Sequence, residues 1–341
     1  MAVVPARSTA AEPDVDLSTT LAGIHFPHPV FTASGCAAAG QELAQFFDVA
    51  SIGAITTKSI MVNPRAGRPT PRMAETPSGM LNAIGLQGPG IDVFLEKDLP
   101  WLAERGARAV VSIAGSSVEE YATLTKKLRG RAGVTAIEVN ISCPNVESRG
   151  QVFACDPVAA SAVLKAVRKY ADVPILAKLS PDVTDIVAIA RSCVDAGADG
   201  LSLINTLLGI VIDTRTMRPH LGGVTGGLSG PAIRPVAVRA VWQVREAFPD
   251  VPILGMGGIR TGRDALEFLL AGASAVSVGT VIFNDPSAPV RIGRELAIEL
   301  DALGVSALRD IVGAAHGRPT ADVVGTADAF PATPLAPLED A

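Results

Sequence analysis

Eight short apolar runs, each followed by a stretch with helical spacing, limit what this chain can become. The runs cover residues 30–34, 52–58, 109–114, 136–142, 174–179, 200–205, 252–256 and 275–279. Helical patterns fall near residues 93–105, 118–129, 157–170, 184–196, 231–248, 262–271 and 287–303, with a shorter one at 43–47. Near-continuous apolar runs suit strands buried on both faces, and strands alternating with helices build a parallel sheet. Gly106-Ala107, Gly197-Ala198 and Gly272-Ala273 each close a helical stretch before a strand, where glycine accepts the left-handed conformation. Two pieces echo each other: "VPILAKL" leads to "AGADGLSLINT", and "VPILGMG" leads to "AGASAVSVGT". Eight such units predict an α/β fold, a closed (β/α)8 TIM barrel over residues 17–317. The rival open sheet lacks its usual GxGxxG after the first strand. Segments 1–16 and 318–341, rich in Ala and Pro, predict flexible, disordered N- and C-terminal tails.

Composition narrows the function classes. Hydrophobic residues make up 48% of the 341 positions, enough for a large core without disulfides or metal. A net charge of −5 with only 4% aromatics weighs against a nucleic-acid partner. No apolar run approaches the roughly 18 residues of a membrane-spanning helix. Residues 1–16 also lack the apolar middle of a signal peptide. The cysteines are Cys36, Cys143, Cys155 and Cys193. None forms a CxxC pair, and His25 and His28 flank Pro27, so no metal site is predicted. Reduced thiols and a cytoplasmic location follow as the default.

Barrel enzymes work at the C-terminal ends of their strands. The polar residues placed there are Ser34, Lys58-Ser59, Ser112, Asn140 with Cys143, Lys178, and Asn205-Thr206. A lone lysine at a strand end is ordinarily one that reaches the rim with its stem buried. Two facing one cavity would hold a phosphate or an anionic reduced ring. Gly257-Gly258 and Gly279-Thr280 follow the seventh and eighth strands, where barrels bind phosphate through bare backbone N–H groups. Most free cysteines are small core hydrophobes. Cys143 differs because it follows a strand and precedes Pro144, which ends regular structure. Cys193 falls on an apolar helical face, Cys155 reads as structural, and Cys36, just after the first strand, is the least settled.

The pieces "TASG", "TTKSI", "PRMAETPSGMLNAIGLQ", "VNISCPN", "AKLSPD", "INT", "GGLSGPAI", "GMGGI" and "AVSVGT" stand in register from about Leu17 to Gly313. In this order they resemble the class 1 dihydroorotate dehydrogenases. The resemblance implies oxidation of (S)-dihydroorotate to orotate in pyrimidine biosynthesis, with one FMN per chain. It implies FMN contacts from Ser34, Lys58, Ser59, Asn140, Lys178 and Ile204, and from Gly230, Gly257, Gly258, Gly279 and Thr280. Ser112 joins this set but stands where the family usually has asparagine. Gly88 stands where "LQN" is usual, which implies a local loop change. The substrate ring would meet Lys58, Asn82, Ala83, Ile84, Gly85, Leu86, Asn140, Asn145, Asn205 and Thr206. Cys143 matches the family's base. It would take the C5 proton while the C6 hydride passes to flavin N5, with Lys58 steadying the charge that develops.

Cysteine rather than serine at this position, with no N-terminal membrane helix, argues against class 2. "ETPSGMLNAIGLQ" is similar to the NAD-linked subclass. That implies a homodimer within a heterotetramer whose second subunit carries FAD and a [2Fe–2S] cluster. By the same analogy, the segment "PNVESRGQVFACDP" is read as a lid. The residues alone leave open a related flavin barrel acting on another dihydropyrimidine. They also leave open a flavin-free barrel isomerase or synthase that binds a sugar phosphate, and a non-catalytic scaffold.

Overall fold

The computed structural model describes residues 13–142 and 155–317. Eight parallel strands are β1 (Val30–Thr32), β2 (Ile55–Thr56), β3 (Ala109–Ile113), β4 (Val134–Asn140), β5 (Ile175–Lys178), β6 (Gly200–Leu203), β7 (Ile253–Met256) and β8 (Ala275–Val278). Each pairs with its neighbour in chain order, and β8 pairs with β1. The circle closes where Phe31 of β1 bridges Ala54 and the Gly53 N–H donates to the Val30 carbonyl at 2.8 Å. The sheet is therefore the predicted barrel.

Among the described residues, seven helices of six residues or more cover it: α1 (Leu99–Glu104), α2 (Val118–Leu128), α3 (Pro157–Arg168), α4 (Ile186–Asp195), α5 (Arg234–Ala247), α6 (Gly262–Leu270) and α7 (Ala288–Ala302). Their starts are chemically marked. Ser117, Asp156 and Asp185 accept N–H bonds from the first turns of α2, α3 and α4, and Thr261 with Asp264 closes a capping box on α6. The predicted helix near 43–47 is a single 3-10 turn, Leu43–Gln45.

Strand alternation sorts the core in two. Val111, Val139, Ala177 and Leu201 face outward onto Leu124, Val163, Ile189 and Val241 of the helices. Phe31, Val110, Leu176 and Leu254 face inward and fill the lower barrel. A hairpin that the apolar pattern does not predict, Thr19–Leu21 with Ile24–Phe26, plugs the bottom. Its Leu21 and Phe26 are buried in the same cluster, with the Phe26 and Phe31 rings 4.8 Å apart. Three-residue strands are too short to show a period.

A second unpredicted sheet stands at the opposite end. Leu207–Gly209, Gly226–Ser229, Gly79–Asn82 and Met73–Thr76 form four antiparallel strands in that order. Asp16, placed in the tail by the sequence reading, is held to the barrel. Its N–H donates to Ser306 at 2.9 Å and its carboxylate pairs with Arg309 at 2.7 Å. Residues 1–12 of the expected N-terminal tail and the whole expected C-terminal tail, 318–341, lie outside the described residues. Among the described residues, no helix is long and apolar enough to cross a membrane.

One packing contact has a pH signature. The His28 ring lies against Gly293 of α7, where an added methyl group would overlap it. Its Nδ1 accepts the Val30 N–H at 3.3 Å. Burial pushes the ring pKa down from 6.5 to about 4. The unfolded chain therefore binds this proton more tightly, so its stabilising effect is complete above about pH 6.5 and is lost as pH falls to about 4. Urea midpoints measured across that window should fall by at most about 3 kcal/mol equivalent from this group. His28→Gln should flatten that part of the slope, and an unchanged slope would contradict the assignment.

Candidate active site

A cavity of about 1410 Å³ opens at the C-terminal ends of the strands, ringed by the four-stranded sheet. Ser34, Lys58, Ser59, Asn140, Lys178 and Ile204 line it. So do Gly230, Gly257, Gly258, Gly279 and Thr280. On the sheet side it is lined by Asn82, Ile84, Gly85 and Leu86, and on the β6 side by Asn205 and Thr206. Two residues of the predicted sets are elsewhere. Ala83 is turned into a small apolar cluster with Ala74, Leu81 and Leu221. Ser112 is fully buried behind Ser59. Cys143, Asn145 and most of the segment read as a lid lie outside the described residues.

A chain of hydrogen bonds crosses the floor. Ser112 Oγ and Ser59 Oγ share a bond of 2.9 Å, and Asn140 Nδ2 donates to Ser59 Oγ at 2.9 Å. Ser142 Oγ donates to Asn140 Oδ1 at 2.8 Å, and Asn205 Nδ2 donates to Ser142 Oγ at 2.7 Å. The five groups come from β2, β3, β4 and β6 or the loops after them, so the amides of Asn140 and Asn205 are fixed before any ligand arrives. Tyr121 adds a bond from its hydroxyl to the Asn140 carbonyl at 2.8 Å. Serine at 112 thus reaches the site through Ser59.

The wall at β7 and β8 is a glycine cradle. Gly258 has φ +78°, and a Cβ there would lie 2.7 Å from the Gly230 carbonyl. A Cβ on Gly257 would lie 2.8 Å from Ala237 of α5. Only glycine leaves this surface open. Thr280 Oγ1 donates to Ser229 Oγ at 2.8 Å and ties the two loops together. Below the cradle, Arg234 pairs with Asp264 and, at 3.0 Å, with Glu267. Asp264 also accepts the Arg260 N–H at 2.8 Å. Bare N–H groups near helix starts make an anion site, so a phosphate fits this donor set.

Positive charge gathers on the other side. Lys178 Nζ donates to Ser34 Oγ at 2.8 Å, and Lys58 Nζ lies beside the Gly35 loop. Cys36 lines this cavity too. Burial pushes its thiol pKa up, although Lys178 and Lys58 pull the other way. That is the wrong direction for a reactive thiolate.

A family profile described as dihydroorotate dehydrogenase matches residues 16–300. The chain belongs to the dihydroorotate dehydrogenase family. A Geobacter sp. (strain M21) protein named dihydroorotate dehydrogenase B (NAD(+)), catalytic subunit, is 53% identical over 299 residues. That alignment covers 88% of this chain and 98% of the relative. Proteins of the same name from Geobacter sulfurreducens and Desulforudis audaxviator are 52% and 50% identical, covering 88% and 89% of this chain and 98% of each relative. In this dihydroorotate dehydrogenase fold, the sequence reading passed over the sheet that delivers Asn82. It pairs Gly227 with Asn82, whose Nδ2 donates to the Gly227 carbonyl at 3.3 Å. The available signal was Pro77-Ser78, a two-residue turn between short runs. Ser229, which braces Thr280, had no signal of its own.

The floor chain can be tested by removing one link. Ser59→Ala leaves the Ser112 hydroxyl and the Asn140 amide short of a partner, and should lower unfolding free energy by about 1–3 kcal/mol. Urea unfolding measures it, and an unchanged midpoint would mean that the chain contributes nothing.

Proposed function

We propose that this chain is the catalytic subunit of an NAD-linked dihydroorotate dehydrogenase and oxidises dihydroorotate to orotate in pyrimidine biosynthesis. One observation carries the reading. A single cavity joins a glycine cradle suited to phosphate, two lysines, and the amides of Asn82, Asn140 and Asn205. The relatives' printed name supports the same substrate.

FMN fits the residues present and, when bound, supplies the two-electron acceptor. Gly230, Gly257, Gly258, Gly279 and Thr280 would hold its phosphate. Ser34, Ser59, Asn140, Lys178 and Ile204 would line the place of its ring system. The substrate ring alternates N–H and C=O groups, and side-chain amides offer both donor and acceptor. Asn82, Asn140, Asn205 and Thr206, with Asn145 from the loop, orient it against the flavin plane, where alignment counts for most. Lys58 provides positive charge where negative charge develops.

Cys143 takes the C5 proton at its sulfur. Its neighbour Ser142 is bonded to both Asn140 and Asn205, which brings the chain to the cavity just before the cysteine. A free thiol titrates near pH 8.5, so nearby cations favour the thiolate that a base requires. Electrons leave through a partner subunit bearing FAD and a [2Fe–2S] cluster, with this chain as a homodimer inside the assembly. The name "catalytic subunit" on the relatives supports a second subunit. A cytoplasmic location suits a cysteine that must stay reduced.

Anaerobic dihydroorotate should bleach the flavin of the purified protein, and dihydrouracil should not. Cys143→Ala should keep its FMN and lose turnover by at least about 100-fold, with the residual rate rising at high pH. Turnover near wild type would exclude Cys143 as the base. Gly258→Val should purify with little FMN, since its side chain would fill the cradle. Full occupancy would move the phosphate elsewhere.

A further inference from the structure

The strand register stacks the inward residues in layers drawn from alternate strands. Ala54, Ala136, Gly200 and Ala275 lie lowest, and Phe31, Val110, Leu176 and Leu254 come next. Thr56, Glu138, Ser202 and Ser277 follow, from β2, β4, β6 and β8. Such layers are dominated by bulky branched residues. This one is entirely polar and fully buried. Its three hydroxyls and both Glu138 carboxylate oxygens have no hydrogen-bond partner among the described residues. Lys178 Nζ lies 3.8 Å from Glu138 Oε1, and Lys178 reaches from there to the cavity floor.

This arrangement is poor as a stabilising ion pair. Taking both charges out of water costs several kcal/mol per ion, and attraction offsets that only with close geometry and further hydrogen bonds. Here the separation is 3.8 Å and the carboxylate accepts no hydrogen bond from the described residues. A well-packed apolar pair of the same volume would serve the barrel at least as well. What Glu138 supplies that an apolar side chain does not is a negative charge one layer beneath the cavity floor, behind the Lys178 cation that lines the cavity.

We propose that Glu138 is a positioning residue that sets the electron affinity of the bound flavin. It anchors the Lys178 ammonium at the floor and offsets part of its field. The inference rests on the FMN reading above. Without Glu138, Lys178 would present its full charge to the reduced ring and make the flavin a stronger oxidant. With it, the flavin stays low enough in potential to pass electrons on towards a nicotinamide acceptor.

The test uses the holoenzyme, with FMN content measured first. Glu138→Gln keeps shape and removes charge. Its flavin should bind sulfite about tenfold more tightly, and its two-electron midpoint potential should rise by about the matching 30 mV. Glu138→Asp keeps the charge and should stay near wild type in both. A purely structural role would instead lower stability in both variants and leave the potential alone. Full FMN content with an unchanged or lowered potential in Glu138→Gln overturns the proposal. A wild-type protein that neither contains nor takes up FMN overturns the cofactor reading, and this proposal with it. Should Glu138→Gln not fold, the reduced-minus-oxidised infrared spectrum of wild type decides. A carboxylate band that moves on isotopic labelling of glutamate supports the proposal, and its absence overturns it.

Discussion

Everything at the site depends on the alternation of side chains along eight short parallel strands closed into a ring. Each strand sends every second residue inward, and neighbouring strands are staggered, so inward residues stack in layers. The lower layers are Phe31, Val110, Leu176 and Leu254, sealed from below by Leu21 and Phe26. The same period carried upward puts Asn140 and Lys178 at the floor of the cavity. A slip of one residue in any strand would exchange this set for Val139 or Ala177, and the floor would be apolar.

Above that scaffold, polar groups are fixed by one another rather than by packing. The chain from Ser112 through Ser59, Asn140 and Ser142 to Asn205 uses groups from four strands and their loops. The Asn140 and Asn205 amides are thus already oriented, so under the proposed function little ordering entropy would remain to oppose binding of the substrate ring. The glycine cradle follows the same logic on the side proposed for a phosphate. Gly230, Gly257 and Gly258 have backbone conformations and close approaches that other residues would block. The lysines provide charge between these two fixed regions, and Glu138 lies behind one of them.

Much of this was legible in the sequence. The eight apolar runs, the helix-ending glycines and the late glycine pairs each reflect a local rule, so the barrel and its cradle followed from the residues. Asn140 and Asn205 followed from the rule that barrel sites lie at strand ends, whereas Asn82 and Asn145, expected on the substrate side, came only from the resemblance to a known family. Three things were not legible. The bottom hairpin and the mouth sheet use strands of three or four residues, in which a period cannot be counted. Ser112 looked like a cavity residue because it lies on an inward strand position, but Ser59 stands between it and the space. Glu138 sits inside an apolar run, and nothing in a linear sequence distinguishes a buried carboxylate from one at the rim. Only the register of neighbouring strands reveals the layer it belongs to.

The central claim is that a thiol and a flavin ring meet opposite faces of one substrate at this barrel mouth. A crystal structure of the purified protein with FMN and orotate tests it most directly. The account predicts a phosphate at the Gly257-Gly258 and Gly279-Thr280 loops, a flat ring over Lys178, and orotate between that ring and the Cys143 sulfur. A Cys143 side chain directed away from the pyrimidine, or a ring bound outside this cavity, would contradict it.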